Sequence, residues 1–230
     1  MRAEARWLDA AAPWPRRART TGRAVATLVA LTGLTLLGGC ASLRAAEVAQ
    51  ARRSPTARVL DVPFEPQGEA TDCGVAAADM VTRFYGAPMA RAQRDRLVAE
   101  ARTRGAVSGR TLKASLQEAG FFAAVYAGSL DREVTGVYRQ LDLGRPLIVM
   151  VRPSPAAPGH YVVLAGQDAA RGVLVILDPL DGPRVVETAR FLKAWEGAGR
   201  FTLLAAPPAR QEPPAVGAVT MVDGQGGGTR

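Results

Sequence analysis

Three helical patterns followed by a series of short, β-branched runs restrict the fold of this chain more than any other feature. Cys73 to Tyr85 carries apolar residues at helical spacing, with Asp72 in the N-cap position and Gly86 as the stop. Ala90 to Thr103 reads as a second helix and residues 110–119 as a third, with Ser108 near its start and Gly120 just past its end. Strand patterns cover Ala123–Ala127, Pro146–Arg152, His160–Ala165, Val173–Asp178 and Phe201–Ala205. A further helix over about 188–196 places Phe191, Leu192 and Trp195 on one face. Val59 to Val62 adds a short strand that stops at Pro63. Helices first and strands later predict an α+β domain on an antiparallel sheet.

The chain has 230 residues, 48% of them hydrophobic, enough for one domain with a substantial core. We expect that domain over 59–206. Residues 40–58 are mostly polar and Arg-rich without periodicity and read as a tether. The tail over 207–230 is rich in Pro and Gly, a composition expected to stay disordered. Of the formal charge of +8, half lies in residues 1–39, where six arginines face Glu4 and Asp9. The densest later basic stretch, Arg91 to Arg104, is interleaved with Asp95 and Glu100 and reads as an exposed helix face. No aromatic residues alternate with these arginines, which argues against a nucleic-acid partner.

Ala24 to Leu37 is an apolar run of 14 residues with positive charge before it. A membrane span needs about 20 residues, so the run fits the core of a secretory signal instead. Its end, Leu37-Gly38-Gly39-Cys40, resembles the bacterial lipobox. That resemblance implies a signal peptide over 1–39, acylation of Cys40 and attachment to a membrane through the N-terminal lipid. A plain membrane anchor with a chance cysteine is the competing reading. Ala41 after the cysteine implies, by similarity to Gram-negative sorting signals, the periplasmic face of the outer membrane.

With Cys40 carrying lipid, Cys73 is the one remaining thiol, and His160 is the only histidine of the chain. Cysteine-nucleophile chemistry with an imidazole base would therefore have to use these two. Cys73 stands in the first turn of its helix, where backbone N–H groups and the macrodipole favour a thiolate. The same N–H groups offer half of an oxyanion hole, and Gly74 beside them would let a substrate backbone approach. His160 begins one strand and Asp178 ends the next. With the hairpin turn centred near residue 169, Asp178 falls opposite His160, where a carboxylate can orient an imidazole. A slip of one residue would put the two on opposite faces. Taken singly, Cys73 also suits an inert core position, His160 a surface or capping role, and Asp178 a turn before Pro179. Gln67, six residues before Cys73 in a Gly-containing loop, is a candidate second donor to the oxyanion.

The block VPFEPQGEATDCGVAAADMVTRFYG, followed by GHYVVLAG and VLVILDP, resembles the C39 family of papain-like cysteine peptidases over most of residues 59–206. The resemblance implies a papain-like fold with the nucleophile at a helix start packed on the sheet. It implies Cys73 as nucleophile, His160 as base and then acid, and Asp178 as the group that orients His160. Gln67 with the Cys73 backbone N–H would form the oxyanion hole. No metal or organic cofactor is implied. Members that mature bacteriocins are usually joined to a membrane transporter, whereas this chain reads as a stand-alone lipoprotein. The expected substrate is an exported protein or peptide, and a secretion or export system is a candidate partner. Cleavage after small residues such as Gly-Gly would follow by analogy only. A Cys-dependent amidase or acyl transferase, and a non-catalytic binding lipoprotein on the same fold, are the alternatives.

Overall fold

The helix-first, strand-later order is present in the computed structural model, which describes residues 44–207. Cys40, the apolar run before it and the tail beyond residue 207 lie outside the described residues. Helices α2 (Cys73–Phe84), α3 (Arg91–Arg104) and α4 (Gly109–Glu118) come first. Strands β2 (Phe122–Ala127), β3 (Leu147–Val151), β4 (His160–Asp168) and β5 (Val173–Asp178) follow, then α6 (Thr188–Glu196) and β7 (Phe201–Ala206). Helix α1 over 44–53, β1 (Arg58–Val59), α5 (Val137–Asp142) and β6 (Gly182–Glu187) complete the described residues. One antiparallel sheet runs in the order β2-β7-β3-β4-β5-β6, with β1 paired to the far part of β4. Ser108 caps α4 by accepting from the Thr111 N–H at 3.1 Å. Gly105 and Gly120, both at positive φ, end α3 and α4 where other residues would be strained.

Helix α2 is buried along its whole first ten residues, Cys73 to Thr82. It packs against β4 and β3, while α4 packs against β2 and β7 and α6 against β3, β5 and β6. Close approach depends on Gly74. A Cβ there would sit 3.1 Å from the Tyr161 ring and 3.2 Å from the Leu112 side chain. Gly74 therefore serves the contact between α2 and β4. Asp79, also in α2, is buried, and its carboxylate is met by Arg94 of α3. That pairing satisfies the need of a buried charge for a partner.

The β4–β5 hairpin departs from simple pairing in a way that matters for the site. Asp168 pairs with Val173 and Gly166 with Val175, but Leu164 then pairs with Ile176, so Ala165 is an extra residue on β4. Continued without this bulge, the ladder would put Asp178 opposite Val163, on the face away from His160. With it, the register of Val163–Leu177 carried one step further brings Asp178 level with Val162, which shares a face with His160. The expected opposition of residues 160 and 178 is thus corrected to a diagonal, two residues apart on one face. Strand β1 presses on the bulge, since a Cβ on Gly166 would meet the Arg58 carbonyl oxygen at 2.9 Å and the Val59 Cα at 3.0 Å.

Residues 44–58 do not behave as the expected tether. Val48 and Ala51 of α1 are buried against Val175, Val59 and Val185. Ser54 and Thr56 donate to the Asp168 carboxylate at 2.6 and 2.8 Å, and Arg52 pairs with Asp61. An apolar face of two residues is too small to register as periodicity in an Arg-rich stretch. The strand β6 was also not anticipated, because Gly182 and Pro183 at its start read as a turn. Proline is tolerated at the first positions of an edge strand, which β6 is.

Gly166→Ala is expected to destabilise the protein by about 1–3 kcal/mol, because the added methyl meets backbone on β1. Urea denaturation of the variant against the wild type measures this, and an unchanged midpoint would show that β1 does not hold the bulge.

Candidate active site

Cys73, His160 and Asp178 come from three elements and meet at one end of the sheet. Cys73 is the first residue of α2 and is buried. His160 is the first residue of β4 and Asp178 the last of β5. The His160 Nε2 lies 2.7 Å from the Asp178 Oδ1, with both side chains almost wholly buried. With Nε2 committed to Asp178, Nδ1 is the ring nitrogen left for the Cys73 sulfur, whose proximity acts on the charge of the imidazole. The imidazole is thus held between a carboxylate and a thiol at the N-terminus of a helix.

The electrostatics follow from this placement. Burial works against the charged imidazolium, but the hydrogen bonds to Asp178 and Cys73, with the charges of both, outweigh it and raise the His160 pKa to about 9. Burial likewise raises Asp178, yet the hydrogen bond and charge of His160, the Leu180 N–H and the charge of Arg184 leave it below the ordinary carboxylate range. Asp178 accepts from four sides: His160, the N–H groups of Leu180 at 3.0 Å and Asp181 at 3.3 Å, and the Arg184 Nη2 at 2.6 Å. Arg184 donates its other amino group to Asp181 at 3.2 Å. Sequence reasoning missed Arg184 because it missed β6. An arginine at the second alternation past an Asp-Pro-Leu-Asp-Gly turn was the available signal.

Asp72 precedes α2 but makes no capping hydrogen bond. Its carboxylate turns back to accept from the Glu69 N–H at 3.2 Å, and burial first of all raises its pKa. The backbone N–H groups at the start of α2 are therefore not taken up by the Asp72 carboxylate. Gln67 sits in the loop before the helix, tied by its backbone N–H to the Pro179 carbonyl at 3.0 Å. That bond joins the loop to the turn carrying Asp178. The Gln67 side-chain amide donates to the Glu69 carbonyl at 2.9 Å, which leaves its second N–H available. The loop thus brings Gln67 to the neighbourhood of the other three while its first N–H is engaged within the loop.

A cavity of about 750 Å³ reaches His160 and Asp178, with Val151, Ile176, Val186 and Phe191 supplying apolar lining and Arg184 and Arg190 positive charge. A smaller cavity of about 340 Å³ near Gln93 and Glu118 shares no residue with the site. Among the described residues no group of three or more His, Cys, Asp or Glu side chains is placed to hold a metal ion.

Several known structures share this architecture. The peptidase domain of Streptococcus ComA, a bi-functional ABC transporter involved in quorum sensing, is 22% identical with a TM-score of 0.51, covering 64% of this chain and 98% of that domain. A double glycine motif protease from an AMS/PCAT transporter, in complex with the leader peptide, is 22% identical at TM-score 0.51, covering 65% and 94%. A Bacillus anthracis protein described as a C39-like peptidase is 18% identical at TM-score 0.51, covering 67% and 99%. At these identities the likeness establishes the fold, a papain-like arrangement of helices on an antiparallel sheet. No curated protein matches the chain. The family model that matches, over residues 59–202, is that of the Peptidase_C39 like family, and the chain belongs to this family of cysteine peptidases.

Proposed function

We propose that the protein is a lipid-anchored cysteine endopeptidase that hydrolyses peptide bonds of an exported protein or peptide. The observation that carries this reading is the chain's one histidine held between Asp178 and a cysteine at a helix start. In this scheme the Cys73 thiolate attacks the scissile carbonyl carbon, and the carbonyl electron pair moves onto oxygen. The oxyanion is met by N–H groups at the start of α2 and by the second N–H of Gln67. His160, as imidazolium, gives its Nδ1 proton to the departing amine as the C–N bond breaks, which leaves a thioester. Water, giving a proton to His160, then attacks the thioester and releases the acid and the thiolate. Asp178 keeps the ring in orientation throughout, and Arg184 holds Asp178. No step calls on a metal or an organic cofactor.

Membership of a cysteine-peptidase family supports the reaction class, and the AMS/PCAT protease bound to a leader peptide supports a peptide as ligand. The sequence Leu37-Gly38-Gly39-Cys40 supports acylation of Cys40, and Ala41 supports the periplasmic face of the outer membrane. Exported polypeptides, delivered by a secretion or export system, are the substrates such a location makes accessible.

The first test is the rate of iodoacetamide labelling of Cys73 against pH, on reduced protein. Labelling is expected to stay fast below pH 7 in the wild type and to slow at least tenfold in His160→Ala, as a thiolate held by an imidazolium requires. Labelling indifferent to His160 would sink the nucleophile assignment. Peptidase turnover should vanish in Cys73→Ala and fall by about 10²–10⁴ in His160→Ala.

Because the His160 pKa of about 9 lies above its ordinary 6.5, its contacts contribute stability fully below pH 6.5 and lose it as the pH rises through about 9. The urea midpoint of the wild type should therefore exceed that of His160→Gln most below pH 6.5. A gap that widens with rising pH would contradict the arrangement.

Arg184→Met removes one of the charges that keep Asp178 ionised. We expect turnover to drop about tenfold, equivalent to ~1.4 kcal/mol of barrier, and the acid limb of the pH–rate profile to move to higher pH. A uniform loss of activity with an unmoved profile would assign Arg184 a structural role only.

A further inference from the structure

The docking of α1 bears on where the substrate must be. A tether over residues 41–58 could reach up to ~60 Å when extended, leaving the domain free to face any direction. Helix α1 removes most of that freedom, because it lies on the sheet with Val48 and Ala51 buried. Only residues 41–43 stand between Cys40 and its first described residue, Arg44. Four residue steps span at most ~14 Å.

Arg44 is at the catalytic end. Its Nη1 donates to the Asp181 carbonyl at 2.6 Å, and the Asp181 N–H donates to the Asp178 carboxylate. Arg44 and Glu47 also line the cavity that reaches His160 and Asp178. Leu180, in the same turn, is 53% exposed and is one of the few large apolar side chains presented to solvent among the described residues. Along the sheet, α1 leads from this end to the opposite one, where Ser54 and Thr56 meet Asp168. A residue four steps before Arg44 can lie no more than ~14 Å from the end of the sheet that carries the site.

We propose that the acylated N-terminus holds the catalytic end of the sheet against the bilayer, so that the substrate is a polypeptide segment lying at the membrane surface, as in the juxtamembrane stretch of a membrane-anchored protein. The inference rests on the lipoprotein reading above and deepens it. A soluble substrate would have to enter between protein and membrane, whereas a segment already at the surface meets the site directly. Leu180 faces the lipid, and the turn that orients Asp178 is the part of the domain nearest to it.

The test uses the full chain, processed and acylated in cells, carrying Cys73→Ser so that an introduced cysteine is the one reactive thiol. A bimane label is placed at Leu180→Cys or, as the reference, at Phe122→Cys, which is 61% exposed on the opposite edge strand and at the opposite end of the sheet. Vesicles of phosphatidylethanolamine and phosphatidylglycerol with brominated acyl chains supply the quencher. We expect severalfold stronger quenching at residue 180 than at residue 122. Inserting a Gly-Ser spacer of about 20 residues before Arg44, with an r.m.s. reach of ~25 Å, should abolish the difference. Equal quenching at both positions in a chain whose mass shows the acyl groups would overturn the inference and leave the lipoprotein reading standing. A mass without acyl groups would overturn both.

Discussion

The contact between the Tyr161 ring and Gly74 is the constraint on which the rest of this structure depends. Tyr161 follows His160 and Gly74 follows Cys73, so the two catalytic candidates are each one residue from the same packing contact. A hydrogen at Gly74, where any other residue has a methyl group or more, lets the start of α2 seat against β4. The same ring stacks edge-on against Phe201 of β7 with centroids 5.7 Å apart, and it stays close to Gly109 at the start of α4. One aromatic side chain thus fixes α2, α4 and the middle of the sheet relative to one another. Burial pushes its phenol well above the ordinary range, so it remains neutral there.

The polar groups add orientation and charge. Asp178 is buried, and an isolated buried carboxylate would take up a proton. It stays ionised because one imidazole, two backbone N–H groups and one guanidinium all donate to it. His160 gains from both neighbours in turn, which is how a group that burial would discharge ends with a raised pKa. Asp79, buried, forms an ion pair with Arg94 inside the helical layer. The two networks differ in exposure to the cavity: Asp178 and Arg184 line it, whereas Asp79 and Arg94 do not.

Much of this was legible before any coordinates. Glycines and a serine cap mark the helix ends, and the period of β5 is unbroken, so its expected span of Val173–Asp178 agrees with the observed one. The short N-terminal helix, α5 and β6 were not legible, for one shared reason. Each is short and buries few side chains or none, so its own pattern does not stand out. Missing β6 concealed Arg184, and missing α1 concealed the contact of Arg44 with the turn after Asp178. The side-chain amide of Gln67 was expected to face an oxyanion, but its first N–H is engaged by Glu69 of the same loop. Loop conformation of that kind is decided by hydrogen bonds that carry no periodic signature.

By itself the sequence determined which residues were available for chemistry: one histidine, two cysteines, and a carboxylate closing a strand. Periodicity and caps determined the class of fold, since local propensity and alternation act over a few neighbouring residues. Only the tertiary structure decided that Asp178 shares a face with His160. That outcome turns on the extra residue Ala165 in β4, and β1 packs against the bulge from more than 100 residues earlier in the chain. A ladder alternates with period two, so a single inserted residue reverses every side chain beyond it. Whether the insertion sits there depends on contacts between distant segments, which no local pattern records.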